Sequence, residues 1–176
     1  MPKKYILKIL TAGEGGVCKT TLLHRYVEGM FSADTKMTIG VEFFIKEINI
    51  ENRECTLQLW DFGGQERFRF IIESYVIGAK GALLMFDLTR MFTLKTIEQW
   101  VGLLRKYNPE LPILFVGTKL DLAELISVDD EYALSFKERY NLFEYIKISS
   151  KTGENITQAL ELLVRKILKL EPAILI

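Results

Sequence analysis

The sequence predicts an α/β fold: a six-stranded, mostly parallel sheet with one antiparallel strand and about five helices distributed over both faces. Three observations predict it. Short apolar runs recur along the chain, at Tyr5–Leu10, Gly81–Phe86 and Pro112–Val116. Between such runs, apolar residues return at helical spacing. Only one pair of strand-like segments, Val41–Ile50 and Cys55–Trp60, is joined by a turn too short for a helix. Strands alternating with helices make a mainly parallel sheet that must be covered on both sides.

Taken in order, Tyr5–Leu10 is a compact apolar run broken once, by Lys8, and reads as a buried strand. A glycine-rich turn follows, and Leu22, Leu23, Tyr26, Val27 and Met30 then mark the apolar face of a helix. Val41–Ile50 is rich in β-branched and aromatic residues. In Cys55–Trp60, Thr56 and Gln58 alternate with Leu57 and Leu59, and Glu51-Asn52-Arg53-Glu54 between the two segments reads as a hairpin turn. A helix is expected between Gln65 and Tyr75. Gly81–Phe86 is a buried strand ending at Asp87. Leu94, Ile97, Val101 and Leu104 form a helix that stops before Asn108-Pro109, and the strand Pro112–Val116 ends at Gly117. Asp129–Tyr140 is a helix with acids in its first turn and Lys137 and Arg139 near its end, the polarity the helix dipole favours. Glu144–Ile148 is a short strand. Ile156, Leu160, Leu163, Ile167 and Leu170 form the stripe of a last helix, closed by Pro172.

The 176 residues amount to one domain, 1–176, with no repeat, linker or low-complexity segment. Twenty-three basic and 23 acidic residues give no net charge, which excludes a dedicated nucleic-acid binder and a polybasic membrane clamp. The two cysteines, Cys18 and Cys55, make no disulfide framework, and no secretory signal precedes them, so a cytoplasmic location is expected. No window approaches the ~18 apolar residues of a membrane span. Pro2 is incompatible with N-myristoylation, and the last residues carry no prenylatable cysteine. Recruitment to a membrane would therefore come through a partner or through a tail beyond this sequence.

Ligands on such a sheet lie beyond the carboxyl ends of its strands, and five loops there carry chemistry. Gly13-Glu14-Gly15-Gly16-Val17-Cys18-Lys19-Thr20 follows a strand and opens a helix, the context of a P-loop. Its glycines let successive N–H groups point at an anion, the helix N-terminus adds its dipole, Lys19 reaches the β- and γ-phosphates, and the Thr20 hydroxyl suits Mg²⁺. Cys18 stands where the motif has glycine, which is costly if the position needs a positive φ. A helix N-terminus and Lys19 beside it would also depress the Cys18 thiol pKa. Thr38-Ile39-Gly40 lies before the second strand. Asp61-Phe62-Gly63-Gly64-Gln65 follows the third and places an acid where the outer shell of a magnesium ion belongs. Gly64 offers an N–H to a γ-phosphate without a Cβ in the way, and Gln65 can orient an attacking water. Thr118-Lys119-Leu120-Asp121 offers a carboxylate that accepts from the N1–H and exocyclic amine of guanine, a donor pair that adenine lacks, with the Lys119 stem lying along the base. In Ser149-Ser150-Lys151-Thr152-Gly153, the Ser150 N–H can donate to the guanine O6; read alone, Thr152 is a helix cap.

With these residues in that order, the chain resembles the Ras superfamily of small GTPases, most closely the Rab branch, from about Tyr5 to about Leu170. Thr38-Ile39-Gly40-Val41-Glu42-Phe43, Trp60-Asp61-Phe62-Gly63-Gly64-Gln65-Glu66-Arg67-Phe68 and Ser150-Lys151-Thr152-Gly153-Glu154-Asn155 are Rab-like nearly letter for letter. The resemblance implies the P-loop NTPase (small G-protein) fold and a GTP/GDP switch that hydrolyses GTP with Mg²⁺. It implies Thr20 and Thr38 as metal ligands, Thr38 in the triphosphate state only, with Asp61 acting through a metal-bound water. Gly15, Gly16, Val17, Cys18, Lys19, Thr20 and Thr21 would cradle the phosphates, with Gly64 at the γ-position and Gln65 and Lys19 catalytic. Phe31, Thr118, Lys119, Asp121, Ser149, Ser150 and Lys151 would surround the guanosine. Residues of about 33–43 and 61–77 would be the switches, held by the γ-phosphate and released after hydrolysis. Phe43, Trp60 and Tyr75 match an aromatic trio that receives effectors, and exchange and GTPase-activating proteins would act on the same switches of a monomer.

The departures are as informative. Gly63 stands where Rabs have Ala, and Gly-Gly-Gln is similar to the Arf branch; Thr118 replaces the commoner Asn, as in Rho-type members. The mosaic fits a divergent member, prokaryotic or archaeal. No arginine finger is evident in cis, although Arg67 and Arg69 are near, so slow intrinsic turnover is expected. A second reading takes Cys18 as weakening the cradle and makes the chain a non-hydrolysing nucleotide-binding or nucleotide-free interaction module. A P-loop kinase or ATPase is disfavoured by Asp121.

Overall fold

In the computed structural model, which describes residues 3–34 and 36–171, the alternating pattern becomes one six-stranded sheet. Strand β1 (Lys3–Ala12) leads into helix α1 (Lys19–Glu28), then β2 (Val41–Ile50), β3 (Arg53–Phe62) and α2 (Arg69–Val76). There follow β4 (Gly81–Asp87), α3 (Ile97–Leu104), β5 (Ile113–Thr118), α4 (Asp130–Arg139), β6 (Glu144–Lys147) and α5 (Ile156–Leu168). The strand order is β2-β3-β1-β4-β5-β6. Only the β2–β3 pair is antiparallel, running in register from Val41 opposite Phe62 to Ile50 opposite Arg53.

The hairpin is tighter than its sequence suggests. Glu51 and Asn52 alone form the turn, both with positive φ, 49° and 60°, while Arg53 and Glu54 already belong to β3. Two positive φ values give the turn the twist that matches its strands.

Buried strands have two core faces, and the alternation of their side chains sorts them. Leu10, Ala82, Leu84, Phe86, Ile113 and Phe115 pack under α2, α3 and α4 through Ile72, Trp100 and Ala133. Their alternates Ile9, Leu83, Met85, Leu114 and Val116 pack under α1 and α5 through Leu22, Leu23, Leu160 and Leu163.

Helix ends depart from the periodicity in ways local chemistry explains. Gly29 closes α1 in the left-handed region (φ 72°), its N–H bonded to the Arg25 carbonyl, so Met30 and Phe31 lie beyond the helix. Leu94 ends a separate 3-10 turn, Met91–Leu94, before α3. There the Thr93 hydroxyl accepts from the Asp87 N–H at 3.0 Å and donates to the Arg90 carbonyl at 2.8 Å. Asp129 is the cap of α4 rather than its first residue, accepting from the Tyr132 N–H at 2.7 Å. Thr152 does not cap α5: its hydroxyl accepts from the Glu154 N–H, and Asn155, at φ 60°, precedes the first helical residue. Pro172 lies outside the described residues.

Since β1 is flanked by β3 on one side and β4 on the other, the chain reverses its direction of progress across the sheet there. The crevice at the carboxyl end of β1 is where such a sheet accepts a ligand.

Candidate nucleotide site

The loop between β1 and α1 is curled around its own lysine. Lys19 is 6 % exposed, and its Nζ donates to the Gly13 and Glu14 carbonyls at 2.9 and 2.8 Å. Burial pulls its pKa down to about 8, against the attraction of Asp61 and Glu14. The ammonium is thus held at the loop by weak acceptors, where an anion would stabilise its charge.

Cys18 has φ 68°, so the position demands the left-handed conformation that glycine adopts freely. Its thiol does not behave as the helix terminus alone suggests. Burial pushes its pKa up, outweighing the nearby cations Lys119 and Arg90. Cys18 is therefore an uncharged spacer rather than an activated nucleophile.

Beside Lys19 three oxygen-bearing side chains converge. The Thr20 and Thr38 hydroxyls are 2.6 Å apart. Thr20 donates to Asp61 Oδ2, and Thr38 donates to the same oxygen at 3.3 Å. Thr11, from β1, holds the other carboxylate oxygen at 3.3 Å. Asp61 is fully buried, and burial raises its pKa despite these bonds and Lys19. Two hydroxyls and a carboxylate form a hard-oxygen set that suits Mg²⁺, which prefers few protein oxygens and keeps its waters. Among the described residues no cluster of three His, Cys, Asp or Glu forms a metal site, so hydroxyls and phosphate oxygens would have to complete this one.

Two cavities meet at Cys18. The first, of about 300 Å³, is lined by Gly15, Gly16, Cys18, Lys19, Thr20 and Thr21 from the loop and α1, and by Thr38, Gly64 and Gln65 across from them. The second, of about 210 Å³, is lined by Cys18, Phe31, Lys119, Asp121, Ser150 and Lys151. Of the residues expected at the site, four stand behind these walls. Val17 is in the core and offers only its backbone. Thr118 is buried and donates to the Phe86 carbonyl at 3.0 Å. Ser149 donates to Asp121 Oδ1 at 2.6 Å and so orients that carboxylate. Asp61 reaches the first cavity through Thr20 and Thr38. Ser150 lines the second cavity, and its hydroxyl is buried without a hydrogen-bond partner.

The segment after β3 lies directly on the phosphate loop. A Cβ on Gly64 would stand 2.4 Å from the Gly15 nitrogen and 2.5 Å from the Glu14 carbonyl carbon. Glycine is required there by backbone packing, a reason independent of any phosphate. Gln65 meets Met37 through its amide nitrogen and accepts from Arg67 Nε at 2.6 Å. Arg69 pairs with Glu14 at 2.7 Å and stacks over Trp100, so it is engaged in holding α2 against the loop. Phe43, Trp60 and Tyr75 do come together, with ring centroids 4.7 and 5.2 Å apart, and Phe43 is 44 % exposed.

The sequence reading missed Asp87, Arg90 and Thr11. Asp87 ends a strand and so obeyed the same rule that singled out Asp61, whereas nothing in the spacing points Arg90 to the phosphate loop or Thr11 to Asp61.

Four likenesses bear on this geometry. The family model described as "Ras family" matches residues 8–169. Ras-related protein RABA1c of Arabidopsis thaliana is 38% identical over 156 residues, covering 88% of this chain and 72% of that protein. RABA1e of the same plant is 40% identical over 156 residues (88% and 71%), and YPTC6 of Chlamydomonas reinhardtii is 37% identical over 164 (93% and 76%).

Proposed function

Because the chain belongs to the Ras family and is a GTP-binding switch that hydrolyses GTP, we propose that its two joined cavities are the nucleotide site, phosphates in the first and guanine in the second. One observation carries this assignment: the loop with Lys19 and the loops with Asp121 and Ser150 line spaces that share Cys18, so one ligand spans both. Nothing favours the docking-module alternative.

In this reading the N–H groups of residues 15–20 and the Lys19 ammonium bind the phosphates. Asp121, oriented by Ser149, accepts from the guanine N1–H and amine, while Ser150 donates its N–H to O6 and Phe31, Lys119 and Lys151 enclose the base. Thr118 holds the loop from behind. Thr20, Thr38 and Asp61 would hold Mg²⁺, which when bound neutralises phosphate charge. Thr38 engages only with the triphosphate. Gly64 presents its N–H to the γ-phosphate, and Gln65 orients the attacking water, with its amide able to donate and accept. Catalysis is then placement and charge stabilisation. With Arg67 and Arg69 occupied at Gln65 and Glu14, intrinsic turnover is slow, on the order of 10⁻⁴ to 10⁻² s⁻¹, and rises with a partner's arginine.

The family works with regulators and effectors. Here their surface is residues of about 33–43 and 61–77 with Phe43, Trp60 and Tyr75 at its centre. The chain acts as a single G domain, a cytoplasmic monomer recruited to membranes through a partner or through a tail beyond this sequence; among the described residues no helix is long and apolar enough to cross one.

The test is chemical identification of the nucleotide released when purified protein is denatured, followed by single-turnover hydrolysis. Guanine nucleotide is expected, and Gln65→Leu should slow hydrolysis at least about tenfold with GTP affinity nearly unchanged. Failure to take up GDP or GTP at micromolar concentration with magnesium present overturns the site.

A further inference from the structure

Behind the two cavities runs a chain of charge in which the nucleotide reading uses Lys119 but neither Asp87 nor Arg90. Asp87, at the carboxyl end of β4, is fully buried. One of its carboxylate oxygens, Oδ2, meets Lys119 Nζ at 2.6 Å and Arg90 Nε at 2.7 Å. The other, Oδ1, accepts from the Thr89 N–H at 2.8 Å and the Thr89 hydroxyl at 2.7 Å. The far end of the Arg90 guanidinium donates through Nη2 to the Gly16 carbonyl at 2.8 Å and the Gly15 carbonyl at 3.3 Å. A Cβ on Gly16 would stand 3.2 Å from that nitrogen, so the arginine lies close against the loop.

The consequence is geometric. Lys119 lines the base cavity, and Gly15 and Gly16 line the phosphate cavity. One buried carboxylate fixes the lysine directly and the two glycine carbonyls through a planar fork. By engaging the carbonyl oxygens, Arg90 leaves the N–H groups of the same peptides for phosphate. A guanidinium can meet a carboxylate with one edge and carbonyls with another; an ammonium, as a point charge, cannot hold both. The loop it braces contains Cys18 with positive φ, a conformation that relaxes unless neighbours over-determine it.

We propose that Asp87 and Arg90 are positioning residues that couple the base loop to the phosphate loop, so that recognition of guanine and binding of phosphates strengthen each other. The coupling rests on the nucleotide-site reading above. It is reciprocal: weakening the base contacts should cost less once the link is cut.

The experiment is a cycle with two ligands and three proteins. GDP and IDP differ by the exocyclic amine that Asp121 accepts, so their affinity ratio reports base recognition. Dissociation constants for both, with magnesium, are measured on the wild type, Arg90→Ala and Arg90→Lys, with cooperative melting as the check of folding. Expected are a loss of GDP affinity of about tenfold in Arg90→Ala, a GDP-over-IDP preference at least about threefold smaller than in the wild type, and little rescue by Arg90→Lys. A preference unchanged in Arg90→Ala makes the arginine a simple brace for the phosphate loop and overturns the coupling. Full restoration by Arg90→Lys overturns the bridging role of the fork. Should Arg90→Ala fail to fold, Arg90→Lys is compared with the wild type by the same criteria. A wild type that binds GDP and IDP equally removes the Asp121 assignment, and the coupling with it, whereas a wild type that discriminates while its variants keep the same ratio removes the coupling alone.

Discussion

At Cys18 a single residue carries the conformational cost of the phosphate loop. An L-residue in the left-handed region costs roughly 1–2 kcal/mol relative to its preferred conformations, and φ is 68° here. Cys18 lines both cavities and belongs to neither core cluster, so its removal forfeits little packing. Cys18→Gly should therefore raise stability by about 1 kcal/mol, the extra freedom of glycine in the unfolded chain offsetting part of the relief. Urea denaturation of the nucleotide-free protein checks this; a midpoint equal to or below the wild type's would mean that neighbours already absorb the strain. The presence of an unusual residue at position 18 was legible in the sequence. The sign of φ was not, because it depends on how the loop closes around Lys19.

Between elements, the contact of the segment preceding α2 with the phosphate loop is a tight constraint on the site. Gly64→Ala would drive a methyl group into the backbone of Glu14 and Gly15, and since backbone cannot rotate aside, the segment must lift. We expect faster tryptic cleavage at Arg67 and Arg69 and a fall in hydrolysis of at least about tenfold, since catalytic placement tolerates little displacement. Unaltered cleavage and turnover would show that the segment relaxes without leaving the loop. The packing of α1 against α5 makes a separate, pH-dependent statement. Burial, reinforced by Glu161, pushes the Tyr26 phenol up to about 12, whereas an unfolded tyrosine titrates near ~10. The folded protein holds that proton more tightly, so the contribution is complete below pH ~10 and is lost as pH rises toward ~12. Tyr26→Phe should flatten the alkaline loss by on the order of 1 kcal/mol after allowance for partial exposure. Tyr145 is raised as well, by burial and then by Asp130, so part of the slope should survive. Stability measured at pH 9, 10 and 11 in both proteins distinguishes the two tyrosines.

For the whole molecule, ligand and fold are linked in the proposed site because the loops after β1, β3, β5 and β6 line the two joined cavities. A ligand at a thousandfold excess over its Kd stabilises by about 4.1 kcal/mol. For a chain of this length that raises Tm by roughly 8–16 °C. GDP with magnesium should produce such a shift, and chelating the metal should reduce it. An identical shift with and without chelator would remove Thr20, Thr38 and Asp61 from metal binding, and no shift at all would remove the nucleotide.

The sequence by itself determined the order of strands and helices, the single antiparallel hairpin and the residues carried by each loop. Those properties are local: alternation, helical spacing and turn chemistry are written within ten or fifteen residues, and the position of a loop at a strand's carboxyl end follows from the fold class. Even the helix at Arg69–Val76 could be read from its apolar residues. Only the tertiary structure decided what the loops do to one another. It brought Thr118 and Ser149 behind the cavity rather than into it, seated Gly64 on Gly15, raised rather than lowered the Cys18 pKa, and joined Asp87, Arg90 and Lys119 into one chain. Such contacts join residues up to 75 positions apart, and their distances, burial and charge balance arise only when the sheet sets its carboxyl-end loops side by side.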